Sequence, residues 1–434
     1  MRKFIIKTHG CKSNQLESTV IKEKLIDAGF LECKTPEEAD IFILNSCSVT
    51  ENADNEALRT VRNAKNKNEK LITVLTGCSA QLHAHELLEL PYIDMVLGND
   101  DKFNIVPLLN AKQSQITDIF EIGEFNNQII HDYSNTRGYL KIQDGCNNYC
   151  SYCTIPLARG KSRSNDVENI IDQIKIYTDI GIKEVVLTGI HIGQWGTDFK
   201  DKKSLLNLLE QIENTDIKRY RLGSLNTLEI NDVLLEFLGQ SEKFCPHFHL
   251  SLQSLTDKTL TAMNRHYTAQ SCLDLMEKID ETFTLPFLGS DIIVGFPGES
   301  DTDFETTVQN VIKSKLSNIH VFPYSVRSNT KAAAMSGHIE ESKKHERADI
   351  LHKIAKQKFE TFIQKNINRT QQVLIEKRPD KKTGLLKGVT KNYLNVLIDA
   401  KDKILHNTVQ NVKITAVDKD SSALCAELLT NRAL

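Results

Sequence analysis

Residues 139–153 read Tyr-Leu-Lys-Ile-Gln-Asp-Gly-Cys-Asn-Asn-Tyr-Cys-Ser-Tyr-Cys, a short strand-like run followed at once by three cysteines. We call Cys146, Cys150 and Cys153 the central triplet. Thiolates at this spacing can bind three irons of a [4Fe–4S] cluster and leave the fourth iron without a protein ligand. The alternative is a structural zinc site, which normally has four Cys or His ligands. No histidine or fourth cysteine lies near enough in sequence to close such a site, so a distant residue would have to complete it.

The region that follows the triplet alternates strand-like and helical patterns. Together with 139–142, the strand candidates are 184–188, 219–222, 248–252, 291–294 and 319–323. One helix is predicted over 167–180, with Asn165 as its cap and Gly181 after its end. Six βα units are too few for an eight-stranded barrel. They predict a partial, open barrel with its active site at the carboxyl ends of the strands. A charged helix is predicted over 340–365.

Three more cysteines follow strand-like runs near the start of the chain. The runs are 3–8, 39–45 and 70–76, and the cysteines, which we call the amino-terminal triplet, are Cys11, Cys47 and Cys78. Residues 41–44 and 71–75 are apolar throughout, as expected for a parallel sheet covered on both faces. Ligands gather beyond the carboxyl ends of such strands, so these distant cysteines can converge on one point. Residue types alone also fit three isolated buried cysteines.

The first helix is predicted to follow the first of these runs. Asn14 and Glu17 have the spacing of a capping box at its amino terminus. Leu16, Val20, Ile21 and Leu25 form its apolar face, and Gly29 follows its end.

The last part of the chain changes character, because short alternating runs replace the helical patterns. The runs are 372–376, 384–390, 393–399, 409–417 and 423–428, and they predict a small β-barrel. Basic residues enter this segment, among them Lys377, Arg378, Lys381 and Lys382. Such side chains neutralise phosphates, so they are candidates for RNA binding, although a charge run is also typical of a solvated face.

Composition sets the outer limits of the interpretation. The chain has 434 residues and a net charge of −3, with a mean hydropathy of −0.33. No apolar run reaches the ~20 residues needed to span a membrane, and the charged start does not look like a signal peptide. We therefore expect a cytoplasmic protein, in which ten cysteines indicate metal binding or catalysis more than disulfides. The expected division is an α/β domain at 1–112, a linker at 113–131, the partial barrel at 132–364 and the small barrel at 365–434.

The central triplet and its place in a partial barrel resemble the radical S-adenosylmethionine (SAM) superfamily. The resemblance implies that SAM binds the open iron of a [4Fe–4S] cluster and is cleaved to a 5′-deoxyadenosyl radical. It also implies that Tyr152 contacts the adenine and that Gly189 lies in the segment that holds the methionyl amine. That segment departs here from the Gly-Gly-Glu-like form of many relatives. Ser224 and Gln253 end barrel strands and are further candidates for SAM contacts; a structural role is the alternative for each.

The segments around the amino-terminal triplet resemble the methylthiotransferase family within that superfamily, and the similarity extends over nearly the whole chain. It implies that the final β-barrel is a TRAM domain and that the amino-terminal triplet holds a second [4Fe–4S] cluster. The open iron of that cluster would carry the sulfur to be donated. One SAM would methylate the sulfur, and a second SAM would supply the radical. Cys33, Cys245, Cys272 and Cys425 match no ligand position.

Three substrate classes occur in this family: isopentenyl-adenosine in tRNA, threonylcarbamoyl-adenosine in tRNA, and an aspartate of a ribosomal protein. The chain looks most like the threonylcarbamoyl-adenosine branch, on segments 45–54, 140–146, 155–163 and 186–193. This implies methylthiolation at C2 of the adenosine next to the anticodon. One segment departs from the family pattern, with Ser251 where proline is usual and Leu255 where glycine is usual.

The expected partners are the anticodon stem-loop of tRNA, an electron donor such as flavodoxin or ferredoxin, and a source of sulfur, with no membrane. A reading from a different class is a zinc-bearing RNA-binding protein without catalysis. It predicts a colourless protein and leaves the six βα units unexplained.

Overall fold

A computed structural model describes residues 1–131, 133, 135–400, 405–418 and 421–429. None of the helices in these ranges has the length and apolar character needed to cross a membrane.

The amino-terminal part is a parallel sheet with helices on both faces. Its strands are β1 (Lys3–Thr8), β2 (Leu31–Glu32), β3 (Ile41–Ser46), β4 (Ile72–Gly77) and β5 (Met95–Leu97). Its helices are α1 (Lys12–Asp27), α2 (Glu51–Lys67), α3 (Cys78–Leu88) and α4 (Ile105–Ala111). The strand order is β2-β1-β3-β4-β5. Phe42 and Leu44 enter one apolar cluster while Ile41 and Ile43 enter the other, which is why β3 is apolar throughout.

The middle part contains the predicted six-stranded partial barrel. The strands of this part are β6 (Arg137–Lys141), β7 (Gln143–Asp144), β8 (Arg163–Ser164), β9 (Glu184–Thr188), β10 (Arg219–Leu222), β11 (Ser224–Leu225), β12 (His247–Gln253), β13 (Phe287–Val294) and β14 (Asn318–Pro323). The short strands β7 and β8 pair only with each other, and β10 and β11 together occupy one of the six strand positions of the barrel. The sheet runs β6-β9-β10 and then β11-β12-β13-β14, with a break at Gly223 between β10 and β11. The outer helices are α5 (Ile155–Arg159), α6 (Val167–Asp179), α7 (Leu205–Glu213), α8 (Asp232–Gln240), α9 (Asp257–Ala262), α10 (Ala269–Thr282), α11 (Asp301–Lys313) and α12 (Glu341–Lys365). The prediction of a partial barrel is confirmed.

Successive side chains along these strands point alternately to the apolar core under the outer helices and to the inner face of the curved sheet. On β10, Tyr220 and Leu222 join the apolar core under the outer helices. Arg219 and Arg221, the residues between them, therefore lie on the opposite, inner face of the curved sheet. The inner face carries polar residues on several strands, so the inside of the partial barrel is a polar space rather than a packed core.

The carboxy-terminal part is a closed five-stranded barrel, as predicted. Its strands are β15 (Thr370–Ile375), β16 (Leu386–Thr390), β17 (Asn395–Ile398), β18 (Val409–Val417) and β19 (Leu424–Leu428), in the order β15-β16-β17-β19-β18. Phe287 of β13 and Phe362 of α12 belong to the core of this barrel. The barrel is thus docked on the end of the sheet where the strands begin.

Two capping predictions are wrong. Helix α1 begins at Lys12, so Asn14 and Glu17 lie inside it and form no capping box. Both side chains are buried and bond to other parts of the chain. The residue before α6 is Asp166, not Asn165, and its side chain makes no capping bond. The spacing of Asn14 and Glu17 predicted that they bond to the start of their own helix. In the structure their partners are distant in sequence, such as Ser46 and Lys102.

Candidate active site

The central triplet lies in one loop between β7 and α5, at the carboxyl end of the partial barrel. The side-chain amide of Asn264 donates to the carbonyls of Asn148 and Tyr149, at 3.2 Å each. Tyr149 has a φ of 46°, a left-handed conformation that turns the chain between the first two cysteines. The backbone N–H of Ser151 donates to the Met263 carbonyl at 3.1 Å. The loop is therefore held by the residues that follow α9.

Each sulfur of the central triplet has a hydrogen-bond donor. The backbone N–H of Asn148 lies 3.5 Å from the first sulfur, Arg265 Nη1 lies 3.3 Å from the second, and the backbone N–H of Ile155 lies 3.4 Å from the third. Such donors stabilise negatively charged sulfur, the form in which thiols bind iron. Burial and the neighbouring Cys150 raise the pKa of the free Cys153 thiol to about 12.

The spacing of the thiols tests which metal group they fit. Ligands of a tetrahedral zinc ion lie about 3.8 Å apart, given Zn–S bonds of about 2.3 Å. Among the residues that the structure describes, His249, Asp291 and His320 are close enough to share a single metal ion, and neither triplet is found as such a group. Three thiols at the spacing of the central triplet suit a [4Fe–4S] cluster with one open iron.

The amino-terminal triplet gathers at the carboxyl ends of three neighbouring strands. Cys11 precedes α1, Cys47 follows β3, and Cys78 begins α3. Gly10 has a φ of 103°, and a Cβ there would lie 2.6 Å from the Cys47 Cβ, so a larger residue would separate these segments. Gly77 has the same role between β3 and β4, since its Cβ would lie 2.3 Å from the Ser46 carbonyl oxygen. The predicted convergence of the strand ends is present.

The two triplets face the same junction between the sheets. Thr154, next to the last cysteine of the central triplet, donates to the carbonyl of Ser48, next to Cys47, at 3.4 Å. Arg327 donates to the Ser48 hydroxyl at 2.7 Å and also pairs with Asp54. Residues adjacent in sequence to each triplet are thus in direct contact. Groups held by the two triplets would meet at one site.

A buried ion cluster fastens this junction. Glu17 of α1 contacts Lys102 at 2.5 Å, Lys141 at 2.7 Å and Arg159 at 2.8 Å, and Asp144 pairs with the last two. Burial raises the pKa of Glu17, but Arg159, Lys102 and Lys141 lower it more strongly, so it lies well below the usual value. This cluster joins the amino-terminal sheet to the loop of the central triplet. No sequence motif marks it.

Two of the candidate SAM residues lie on the inner face of the barrel. Ser224 is exposed, and its hydroxyl is 3.0 Å from His249 Nδ1. Gln253 ends β12 with a φ of 66°, beyond an irregularity in the strand pairing. Tyr152 is half-buried and packs edge-on against Phe296, with ring centroids 6.4 Å apart. It borders an apolar cluster near the central triplet.

Gly189 follows β9 in a place without room for a side chain. A Cβ there would lie 2.8 Å from the Gln143 carbonyl oxygen. The backbone N–H groups of Ile190 and His191 both donate to Gln143 Oε1, at 3.1 and 2.7 Å. These two amides are therefore engaged within the protein, and a SAM contact at Gly189 itself stays a prediction.

Sequence reasoning gave no role to a polar group that the structure assembles on the inner face. His249 Nε2 lies 3.3 Å from Asp291 Oδ1, and His320 Nδ1 lies 3.4 Å from the same oxygen. Burial raises the pKa of Asp291, but hydrogen bonds from both histidines lower it more, to about 2. The three residues stand on adjacent strands β12, β13 and β14. Strand alternation was the available signal, but it does not identify which neighbours pair.

The basic residues of the terminal barrel border a cleft of about 1000 Å³. The side chains that face it come from α1, β6 and the terminal barrel, and they include Lys377, Arg378, Lys381 and Lys382. Arg378, Lys381 and Lys382 are exposed, whereas Lys377 Nζ lies 3.4 Å from the Tyr133 carbonyl oxygen. The opposite wall includes Arg137 and Tyr139. A basic cleft therefore ends against the inner face of the partial barrel.

Known protein families match both the amino-terminal part and the partial barrel. A family model described as uncharacterized protein family UPF0004 matches residues 3–98, and the radical SAM superfamily model matches residues 140–311. The chain is 36% identical over 380 residues to threonylcarbamoyladenosine tRNA methylthiotransferase MtaB of Aquifex aeolicus, covering 86% of this chain and 92% of that protein.

The chain belongs to the methylthiotransferase family of radical SAM enzymes.

Two further similarities concern the substrate and the fold. tRNA-2-methylthio-N(6)-dimethylallyladenosine synthase of Clostridium botulinum is 32% identical over 428 residues, covering 95% of this chain and 94% of that protein. The radical SAM methyltransferase TsrM of Kitasatospora setae has a TM-score of 0.58 at 12% identity, covering 76% of this chain and 77% of that one. The structural likeness shows the fold alone. Family members with different nucleosides in their names have similar identities, so the residues of the site must indicate the substrate.

Proposed function

We propose that this methylthiotransferase adds a methylthio group to C2 of N6-threonylcarbamoyladenosine next to the anticodon of tRNA. The observation that carries the proposal is the contact between Thr154 and Ser48, which brings two cysteine triplets to one junction. Two triplets, each short of a fourth cysteine, suit a reaction that needs one metal group for radical formation and another for sulfur.

The cysteines divide between two [4Fe–4S] clusters in this proposal. Cys146, Cys150 and Cys153 hold one, and Cys11, Cys47 and Cys78 hold the other. With both clusters and SAM bound, the site has the means to activate the adenine C2–H bond and deliver a methylated sulfur to that carbon.

The remaining residues orient and enclose the reacting groups. Arg265 donates to Cys150 and also to the carbonyl of Ser251, so it ties the central triplet to β12. Tyr152 presents an aromatic face beside Phe296 for the adenine of SAM. Ser224, Gln253 and the chain at Gly189 complete the set proposed to contact SAM. Ser251 and Leu255 depart from the family pattern. Their backbone carbonyls nevertheless accept hydrogen bonds, that of Ser251 from Arg265 and that of Leu255 from Asn310 at 2.9 Å.

Partners and location follow from the reaction. The anticodon stem-loop of tRNA enters the basic cleft. An electron donor such as flavodoxin or ferredoxin reduces the cluster, and a separate sulfur source restores the donated atom. We place the reaction in the cytoplasm. The alternative substrate is the dimethylallyl, or isopentenyl, form of the same adenosine, which the name of the Clostridium botulinum relative carries.

The deciding experiment is nucleoside mass spectrometry of tRNA from cells that lack this protein and from cells in which it is restored. We expect 2-methylthio-threonylcarbamoyl-adenosine to disappear and return, with its unthiolated precursor accumulating in between. Loss of methylthio-isopentenyl-adenosine instead would keep the chemistry and overturn the substrate. No change in either nucleoside would favour the ribosomal-protein or non-catalytic readings.

Replacing Arg378, Lys381 and Lys382 together by glutamine is expected to weaken tRNA binding at every tRNA sequence. Each lost phosphate contact lowers the slope of log affinity against log salt by about 1, so the triple variant should lose about 2–3 units of slope. The measurement is a binding titration at several salt concentrations. A control triple of exposed residues away from the cleft is Lys313, Lys353 and Lys356 to glutamine. Equal losses in the two triples would contradict the assignment of the cleft.

A further inference from the structure

A group of cations lies inside the partial barrel, at the end where its strands begin. Arg137 of β6 and Arg219 and Arg221 of β10 are on the inner face, and Lys12 reaches in from the start of α1. The carboxylate among them is Glu184 of β9, which accepts from Arg219 Nε at 2.8 Å and from Arg221 Nε at 2.9 Å. Glu184 therefore forms ion pairs with two of these four cations.

The two arginines of β10 form hydrogen bonds that hold the terminal barrel against the sheet. Besides Glu184, Arg219 donates to the Val389 carbonyl at 3.1 Å, and Arg221 donates to the carbonyls of Thr390 and Lys391 at 2.8 and 2.7 Å. These bonds dock the terminal barrel on the sheet. Both guanidinium groups are thus held by hydrogen bonds within the protein and share one carboxylate.

Lys12 differs from them. In the part of the chain that the structure describes, its ammonium group has neither a hydrogen bond nor an ion pair. The charged groups that act on it are Arg137, Arg221 and, more weakly, Glu184, and the aromatic rings beside it are those of Tyr139 and Tyr393. Lys12 Nζ lies 5.9 Å from each of the two tyrosine ring centroids. Glu184 is already shared by Arg219 and Arg221, so the half-buried ammonium group has given up water without gaining an ion pair. This is the arrangement expected where the anion belongs to a ligand.

The neighbours of Lys12 respond to the same excess of positive charge. Burial raises the pKa of Tyr393, but Lys12 and Arg137 outweigh that effect and leave the pKa below its usual value. A half-buried tyrosine whose ionised form is favoured lies in a field that attracts anions.

The position of Lys12 connects it to both halves of the proposed reaction. Lys12 directly follows Cys11 of the amino-terminal triplet. Arg137 and Tyr139, which stand beside it, also form a wall of the basic cleft. A nucleoside that enters from the cleft and reacts near the amino-terminal triplet would bring its N6 substituent close to Lys12.

We propose that Lys12, with Arg137 beside it, binds the free carboxylate of the threonylcarbamoyl group and so selects this nucleoside over the dimethylallyl form. The inference rests on the proposed function. A threonine joined to N6 through a carbamoyl group keeps its α-carboxylate, which is ionised at neutral pH. A dimethylallyl group is a hydrocarbon and would cover the ammonium group without compensating it. The cation therefore favours one substituent and disfavours the other, which is how specificity is obtained.

The test changes each partner of the contact separately. The full-length enzyme with its clusters is assayed on a stem-loop RNA that carries threonylcarbamoyladenosine, and on the same RNA with threoninamide in place of threonine. Lys12→Gln is compared with Lys12→Arg, which keeps the charge, and with Lys24→Gln at the other end of α1. Equilibrium binding of both RNAs and SAM cleavage without RNA are measured for each protein.

We expect Lys12→Gln to lower kcat/KM for the carboxylate RNA by about 10- to 100-fold, the effect of losing one hydrogen bond to a charged group. The amide substitution in the RNA should cost wild type a similar factor. The two changes together should cost little more than either alone, since they remove the same interaction. Lys12→Arg should retain most of the preference, and Lys24→Gln should equal wild type with both RNAs. SAM cleavage without RNA should be unchanged in every variant.

Two results would overturn the inference while leaving the proposed function in place. One is a wild-type enzyme that uses the carboxylate and amide RNAs equally well, which needs no variant to fold. The other is a Lys12→Gln enzyme that loses the same factor on both. A wild-type enzyme that modifies only a dimethylallyladenosine RNA would overturn the proposed function itself, and the inference with it.

Discussion

Replacing Cys150 by alanine is expected to abolish SAM cleavage, with a fall of at least about 1000-fold, because two thiolates do not retain the cluster. Replacing Cys47 by alanine is expected to leave SAM cleavage largely intact and to stop methylthio transfer. The difference arises because Cys150 belongs to the loop beyond the partial barrel and Cys47 to the end of β3. If the two triplets hold two clusters as proposed, each variant should lose one cluster and keep the other.

The assay follows three quantities in the same preparations: 5′-deoxyadenosine, methylthiolated nucleoside and bound iron. Wild type should hold about eight irons and each variant about four, as expected for two four-iron clusters. Cys425→Ser is the matched control, since Cys425 lies on β19 and matches no ligand position. Methylthio product at the normal rate from the Cys47 variant would refute the assignment of two clusters.

Replacing Glu17 by glutamine is expected to lower the free energy of unfolding by about 3–5 kcal/mol. Glutamine keeps the size of the side chain but removes the charge that Lys102, Lys141 and Arg159 share, so buried cations lose their partner. The Lys102 side chain has no exposed surface, which leaves water little chance to compensate it. Chemical denaturation followed by circular dichroism measures the change.

The matched control for Glu17 is a surface ion pair between the same helix, α1, and strand β2. Glu32 contacts Lys22 at 2.5 Å, with both side chains about two-fifths exposed. Glu32→Gln is expected to cost at most about 1 kcal/mol, because water screens an exposed pair. Equal effects in the two variants would mean that the buried cluster does not stabilise the junction.

The destabilisation of Glu17→Gln should also depend on pH in a defined direction. The pKa of Glu17 in the folded protein lies well below its usual value of 4.5. Its contribution is therefore fully present above the pKa of the unfolded chain and is lost as the pH falls toward the folded pKa. Wild type and variant should approach each other in stability as the solution is acidified.

Local pattern predicted most of the fold. Strand β1 has the predicted bounds of Lys3–Thr8, and α12 differs from its prediction by one residue. These elements are determined by periodicity over a few residues, which the sequence displays directly. The cap of α1 was wrong for the opposite reason, because Asn14 and Glu17 have a suitable local spacing but bond to segments far away.

The polar interior of the site shows the same division. Cys146, Cys150 and Cys153 could be assigned because they adjoin one another at the end of a strand. Asp291 could not be grouped with His249 and His320, since which inner-face residues touch depends on strand register and curvature.

The sequence by itself determined the elements, the order of strands that places two cysteine triplets at strand ends, and the family. Tertiary structure alone decided that Glu17 meets Arg159 across 142 residues and that Lys12 lies beside Tyr393 with no ion pair to any residue that the structure describes. The physical reason is that backbone conformation follows from neighbours in the chain. Electrostatic contact depends only on distance in space, so a charge acquires its partner, or lacks one, only once the chain has folded.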